Sequence, residues 1–113
     1  MGRLTTHVLD TMRGRPAAGV AIRLCRTGAA GLVWHGRTNA DGRTDGPLLE
    51  GDALTAGGYE LEFDVGGYFA DADLPDPPFL GLVPVHFAVA DPAAHYHVPL
   101  LVSPWAYSTY RGS

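Results

Sequence analysis

The sequence predicts an all-β protein, a β-sandwich or a β-barrel, and three observations support this prediction. Glycine and proline are frequent, with 15 and 9 of the 113 residues, and they interrupt the chain at short intervals. Between these interruptions, apolar and polar residues alternate with the period of two that is typical of strands. The amphipathic period of a helix is missing from these runs. Many short strands separated by turns are the pattern of a sandwich or a barrel.

We expect eight short strands, each an alternating run bounded by turn residues. The runs are 5–12, 19–26, 32–37, 43–48, 58–65, 83–90, 96–103 and 107–110. The clearest is 58–65, where apolar residues occupy one face and acidic residues the other. Residues 68–73 have room for one or two helical turns, and Pro77 and Pro78 then exclude a longer helix.

Length and charge limit the function. A chain of 113 residues predicts a single domain, 1–113. Eight arginines and no lysine face twelve acidic residues, and the net charge of −4 argues against a nucleic-acid partner. No apolar run reaches the roughly 20 residues that span a bilayer, so no membrane partner is expected. With one cysteine, Cys25, and no secretory signal pattern, we expect a cytoplasmic protein.

Histidine is the first candidate for chemistry, because its side chain titrates near neutral pH. His95 and His97 share one face of a predicted strand, roughly 6.5–7 Å apart. The apolar residues Tyr96 and Val98 lie on the opposite face. His7 likewise lies opposite the apolar phase of its own strand. Three histidines therefore project away from the core, toward solvent or toward a pocket shared between subunits.

Three interpretations of these histidines stay open at this point: a general base, a metal site, or plain exposed residues. A His-x-His pair is a known zinc arrangement, but the sequence positions no third ligand. His35 and His86 have no such context, and we interpret them as structural. Nothing near Cys25 in the sequence activates its thiol.

Arg43 is the second candidate. It follows the turn residues Asp41 and Gly42, and a guanidinium there can bind carbonyl or anionic groups with its planar fork. The alternative is an ordinary surface arginine. The acidic residues of the 58–65 run form an outward stripe, which we interpret as a solvated face. The final segment, 107–113, is rich in Tyr, Ser and Arg, with polar groups suited to a site.

Several segments resemble the transthyretin-like protein family. They are Thr6-His7-Val8-Leu9-Asp10, Gly14-Arg15-Pro16-Ala17, Thr38-Asn39-Ala40-Asp41-Gly42-Arg43, Phe63-Asp64-Val65-Gly66-Gly67-Tyr68-Phe69, His95-Tyr96-His97-Val98-Pro99-Leu100-Leu101 and Ser103-Pro104. The closing Tyr110-Arg111-Gly112-Ser113 is similar to the tetrapeptide of the family's enzymatic branch, which hydrolyses 5-hydroxyisourate. The resemblance covers residues 4–113, in order.

The resemblance implies a fold and a reaction. The fold is a transthyretin-like β-sandwich of two four-stranded sheets with one short helix, assembled as a homotetramer, a dimer of dimers. The reaction opens the six-membered ring of 5-hydroxyisourate with water and gives 2-oxo-4-hydroxy-4-carboxy-5-ureidoimidazoline in urate catabolism. The partner is this small-molecule substrate, and neither a cofactor nor a metal is implied.

The resemblance also implies site residues. The catalytic set is His7, Arg43, His97 and Ser113, and the substrate-binding set is His7, Arg43, Tyr110, Arg111 and Gly112. His95 is a companion of unassigned role that could join His7 and His97 in binding zinc adventitiously. Either His7 or His97 is the general base, and Arg43 binds the substrate carbonyls. Two other functions are carried as alternatives: a transthyretin-like carrier of small ligands, and a metal-binding or periplasmic structural protein.

Overall fold

The computed structural model describes residues 1–29 and 31–112, and strands dominate it. The strands are β1 Arg3–Thr5, β2 Val8–Asp10, β3 Arg15–Pro16, β4 Ala21–Arg26, β5 Leu32–Arg37, β6 Leu49–Glu50, β7 Gly57–Asp64, β8 Leu82–Val89, β9 His95–His97, β10 Leu100–Val102 and β11 Tyr107–Thr109. A short helix, α1, spans Val65–Tyr68 and continues as a 3₁₀ turn over Phe69–Asp71, and another 3₁₀ turn covers Gly51–Ala53. The all-β prediction with one short helix is confirmed.

The strands form two layers. One is a four-stranded antiparallel sheet in the order β5-β4-β7-β8. The other consists of two groups, β6-β1-β9 and β11-β10-β2-β3. In these groups β1 pairs with β9 and β2 pairs with β10, both in parallel. Thr5 lies opposite His97 and Val8 opposite Leu100, the same register in both pairs, so the two groups continue one another along the same two segments.

Apolar side chains from both layers fill one core between them. Tyr59, Leu61 and Phe63 of β7 are fully buried, as the alternation in that strand predicts. Val8 of β2 and Leu100 of β10 meet them from the opposite layer and are equally buried. The other faces of β2 and β10 are therefore left for polar residues.

Four of the predicted elements differ from the structure. Residues 43–48 form no strand: Arg43 makes one isolated bridge with His7, and Thr44 Oγ1 then turns the chain by donating to the carbonyl of Gly46 at 2.6 Å. The predicted strands 5–12 and 96–103 are each divided, at residues 6–7 and 98–99, where the hydroxyl of Thr6 donates to the carbonyl of Val98 at 2.7 Å. The helix begins at Val65 and not at residue 68. The side chain of Asp64 caps its first turn by accepting from the N–H of Gly67 at 2.9 Å.

Among residues 1–29 and 31–112, no helix has the length and apolar character that crossing a bilayer requires.

Candidate active site

The parallel pairing of the two segments brings His7 and His97 together. Their neighbours Thr6, Val8, Tyr96 and Val98 are buried in the core, so the alternation of each strand directs both imidazoles to the other face. The two rings lie 6.5 Å apart between centroids, tilted by 40°. Both side chains are half-buried. Two histidines far apart in sequence thus share one surface of the sheet.

A tight turn places Arg43 beside His7. The side-chain oxygen of Asn39 accepts from the N–H groups of Asp41 and Arg43, at 2.9 and 3.2 Å. Gly42 adopts φ of +75°, and a Cβ there would approach the carbonyl oxygen of Val8 to 2.4 Å. The glycine therefore allows the turn to press against β2.

The hydrogen bond of His7 determines which of its nitrogens carries a proton. Nε2 of His7 lies 2.8 Å from the backbone carbonyl oxygen of Asp41. A carbonyl oxygen only accepts, so Nε2 carries the hydrogen. In the neutral ring the lone pair then belongs to Nδ1.

His97 has a different partner and a perturbed acidity. Its Nδ1 lies 2.8 Å from Oγ1 of Thr5. Burial lowers the pKa of His97 below its ordinary value of 6.5, and the nearby charges of Arg43 and His7 lower it further. The imidazole is therefore neutral at pH 7 and able to accept a proton.

Arg43 and His97 line a common pocket of about 550 Å³. Its wall also includes Arg3, Thr5 and His95, and no carboxylate is among the lining residues that the structure describes. This volume lies within the range of small-molecule sites. The chain carries a net charge of −4, so a pocket whose described lining has two arginines and no acidic side chain is a local cationic feature. His7 is not part of this wall but lies beside it.

The segment after β11 approaches His97 through its backbone. The N–H of Gly112 donates to the carbonyl of His97 at 2.7 Å, and the N–H of His97 donates back at 3.3 Å. A Cβ on Gly112 would lie 3.0 Å from Cδ2 of the His97 ring, so glycine permits this approach. Arg111 instead donates to the carbonyl of His95 at 2.9 Å and lies over the ring of Tyr96.

The predicted substrate-binding residues therefore divide into two groups. Arg43 lines the pocket with His97, whereas the side chains of Tyr110 and Arg111 border a separate hollow beside β8. Ser113 lies outside the described residues. The roles predicted for Tyr110, Arg111, Gly112 and Ser113 stay predictions.

His86 and the acidic stripe of β7 have partners of their own. His86 lies 3.2 Å from Glu60, and Arg23 lies 3.6 Å from Glu62. These pairs cross neighbouring strands on the outer face of the four-stranded sheet. In the part of the chain that the structure describes, no three side chains of His, Cys, Asp or Glu are grouped to hold a metal ion.

Sequence reasoning missed Thr5, Arg3 and the carbonyl of Asp41. Thr5 has the same strand phase as His7, and that alternation could have identified it. Its contact with His97 depends on the pairing of β1 with β9, which no local pattern predicts.

The comparisons place the chain among known proteins. A model of the HIUase/Transthyretin family matches residues 4–112. The chain is 59% identical over 117 residues to the 5-hydroxyisourate hydrolase of Ralstonia nicotianae, covering 100% of both chains.

Two solved structures are also similar. A crystal structure of (S)-allantoin synthase superimposes with a TM-score of 0.93 at 50% identity, covering 99% of this chain and 44% of that one. The structure of Klebsiella pneumoniae 5-hydroxyisourate hydrolase gives a TM-score of 0.84 at 35% identity and covers 100% of both.

Proposed function

This chain belongs to the HIUase/Transthyretin family, and from that premise we propose that it hydrolyses 5-hydroxyisourate to 2-oxo-4-hydroxy-4-carboxy-5-ureidoimidazoline. The relative from Ralstonia nicotianae supports the assignment because it is similar over its whole length and bears this activity in its name. The observation that carries the proposal is structural: a neutral histidine, His97, and the guanidinium of Arg43 line one small-molecule pocket.

His97 is the proposed general base. It lines the pocket, and its lowered pKa keeps it neutral at pH 7, as proton abstraction from water requires. Water attacks the ring acyl carbon while the imidazole takes a proton from it. When the C–N bond of the tetrahedral intermediate breaks, the imidazolium returns that proton to the leaving nitrogen. The charges of Arg43 and His7 disfavour the imidazolium and so favour this return.

Arg43 is the proposed oxyanion partner. Negative charge develops on the carbonyl oxygen during the attack, and a fixed cationic donor stabilises it most in a site with little water. No ion pair engages Arg43 within residues 1–29 and 31–112, so its donors are available to a ligand. His7, with Nε2 bonded to Asp41, is proposed to orient substrate beside this pair.

The homotetramer remains part of the proposal. β8 and β11 are the terminal strands of their sheets, so each has an outer edge that can pair with another copy. Pairing of this kind would bring the hollow that Tyr110 and Arg111 border next to a second subunit. Sedimentation of the purified protein tests the assembly. The cytoplasmic location and the single-domain extent stay predictions.

The activity is tested with 5-hydroxyisourate made freshly by urate oxidation. Its ultraviolet decay is followed with and without the purified protein, in the presence of a chelator. We expect acceleration at catalytic protein concentrations, and a decay equal to the spontaneous rate would contradict the proposal and favour the carrier alternative.

A matched pair of variants separates the site from general surface charge. Arg43→Gln should lower kcat/KM by about 100-fold, as expected for loss of one oxyanion donor. Arg15→Gln removes an exposed arginine on β3, outside the pocket wall, and should retain wild-type activity. Equal activity of the two variants would remove Arg43 from the mechanism.

A further inference from the structure

We propose that Thr5 is a positioning residue that holds His97 with its proton on Nδ1, so that Nε2 is the basic atom. This inference rests on the proposed hydrolysis, because it concerns the histidine assigned as the base. Thr5 was not among the residues that the sequence analysis selected.

The geometry is a direct side-chain contact across two paired strands. Thr5 and His97 are opposite one another in the parallel β1–β9 ladder, and their side chains emerge on the same face. Oγ1 of Thr5 lies 2.8 Å from Nδ1 of His97. Both residues are half-buried and line the pocket with Arg43. Backbone pairing therefore fixes the distance, and the contact does not depend on a flexible loop.

The chemistry selects the direction of this hydrogen bond. A neutral imidazole that takes a proton at Nε2 carries its own hydrogen on Nδ1, and that hydrogen needs an acceptor. Within the described residues, Oγ1 of Thr5 is the hydrogen-bond partner that Nδ1 has. The same Nδ1–H bond persists in the imidazolium, so no partner has to move during proton transfer.

The two histidines then hold opposite tautomers. His7 must carry its hydrogen on Nε2, because it donates to the carbonyl of Asp41. His97 carries its hydrogen on Nδ1, through Thr5. Nε2 of His7 therefore already carries a hydrogen, whereas Nε2 of His97 has a lone pair that can accept a proton.

A hydroxyl, unlike a carboxylate, orients the ring without adding negative charge. Arg3 and His95 line the same pocket, and the charges that lower the pKa of His97 are those of Arg43 and His7, both of which disfavour the imidazolium. A carboxylate in place of the hydroxyl would stabilise the imidazolium and raise the pKa of His97. Thr5 thus fixes the orientation of the base and leaves its low basicity unchanged.

The kinetic test uses Thr5→Val, which keeps the shape and removes the hydroxyl, and Thr5→Ser, which restores it. Thr5→Val should lower kcat by about 10- to 100-fold, less than loss of the base itself, with KM little changed. Thr5→Ser should recover activity to within about threefold. Thr11→Val is the matched control, because it likewise removes one hydrogen-bonded threonine hydroxyl, which in Thr11 donates to the carbonyl of Val102 at 3.1 Å, away from the pocket. Equal activity of Thr5→Val and Thr11→Val would overturn the proposal.

A second measurement needs no substrate. Two-bond ¹H–¹⁵N spectra of the imidazole rings report which nitrogen is protonated, and the His97 signals are identified by their absence in His97→Gln. We expect Nδ1–H in the wild type and a tautomer mixture in Thr5→Val. A wild-type ring protonated on Nε2 would refute the role of Thr5 even if the protein is fully active. Conversely, an inactive wild type with Nδ1–H would refute the proposed hydrolysis and leave the tautomer assignment intact.

Discussion

Two polar clusters lie at opposite ends of β2, and they differ in how many of their polar groups have hydrogen-bond partners within the chain. At its far end is the Asp10 cluster, which consists of Asp10, Arg13, Tyr68 and Asp71. The carboxylate of Asp10 is fully buried and accepts from the N–H of Met12, the N–H of Arg13 and the hydroxyl of Tyr68, at 3.0, 2.9 and 2.7 Å. Arg13 lies 3.3 Å from Asp10 and 2.9 Å from Asp71. The buried anion and the cation thus both have partners within the chain.

The histidine cluster, which consists of His7, Arg43 and His97, is the opposite case. Within the described residues each imidazole has one side-chain hydrogen bond, and the charges that act on His97 are those of Arg43 and His7. Its hydrogen-bonding capacity exceeds what the described part of the chain supplies, and two of its members, Arg43 and His97, line a pocket. The comparison distinguishes a polar cluster that is satisfied within the fold from one that we propose binds a ligand.

The sharpest way to test this distinction is to remove the proposed base. His97→Gln should lower turnover by about 100- to 10,000-fold, because the proton acceptor is lost. Its free energy of unfolding should change by less than about 1 kcal/mol, as for a site outside the core. Turnover is measured with 5-hydroxyisourate, and unfolding with urea. His86→Gln is the control, since His86 pairs with Glu60 away from the pocket. A His97→Gln variant with wild-type turnover would end the assignment.

The Asp10 cluster should show the reverse behaviour. Asp10→Ala leaves the Tyr68 hydroxyl, two backbone N–H groups and the guanidinium of Arg13 without their acceptor. We expect a loss of about 2 to 4 kcal/mol in unfolding free energy, with turnover per folded molecule little changed. Asp52→Ala, at an exposed aspartate, serves as the control for urea denaturation. If turnover fell more than stability, the two clusters would be functionally linked and the contrast would fail.

Lowering the pH should separate the clusters without mutation. His97 must be neutral to accept a proton, and its pKa lies below 6.5, so kcat/KM should fall about tenfold per unit only under more acid conditions than an ordinary histidine requires. A pH–rate profile measures this limb. An acid limb centred above 6.5 would assign the base to another group.

The free energy of unfolding should also decrease as the pH is lowered. Because the pKa of His97 is lower in the folded protein, its contribution to stability is complete above 6.5 and is lost as the pH falls through the folded value. Burial raises the pKa of Asp10, but the hydrogen bonds from Tyr68 and the backbone N–H groups, together with the charge of Arg13, outweigh burial and lower it below 3.8. Its contribution is therefore lost only in more acid solution. Urea unfolding should therefore show a first decline as the pH falls below 6.5 and a separate one as it falls below 3.8.

The smallest expected effect concerns the approach of Gly112 to the base. Gly112→Ala places a Cβ about 3.0 Å from the His97 ring, so the segment must shift by a few tenths of an ångström. We expect a loss of turnover of about two- to fivefold, with global stability unchanged within about 0.5 kcal/mol. Gly81→Ala is the control, because a Cβ there meets nothing within 4 Å. A turnover equal to that of the control would show that this contact does not constrain His97.

Local patterns in the sequence predict which face of a strand each side chain occupies, but they do not predict which strands pair. The period-two alternation identifies Tyr59, Leu61 and Phe63 as core and His7 and His97 as outward. It cannot show that the segments of His7 and His97 are parallel neighbours, because that pairing is not local. Residues 43–48 alternate weakly, and the Asn39 turn with the Thr44 hydroxyl outweighs their strand tendency. The burial of Asp10 likewise cannot be predicted from the local sequence, because its partner Tyr68 lies in the distant α1 helix.

The parallel contact between the segments of His7 and His97 also has a kinetic consequence. The two histidines are separated by about 90 residues, and closing a loop of that length costs about 4 kcal/mol in chain entropy. Contacts of such long range slow folding, and the ladder that they share cannot form until the intervening residues have been synthesised. Recovery of enzymatic activity during refolding should therefore lag behind formation of the β4–β7–β8 sheet, whose neighbours are closer in sequence. We therefore expect the proposed catalytic surface to form late in folding, so that activity reports on its completion.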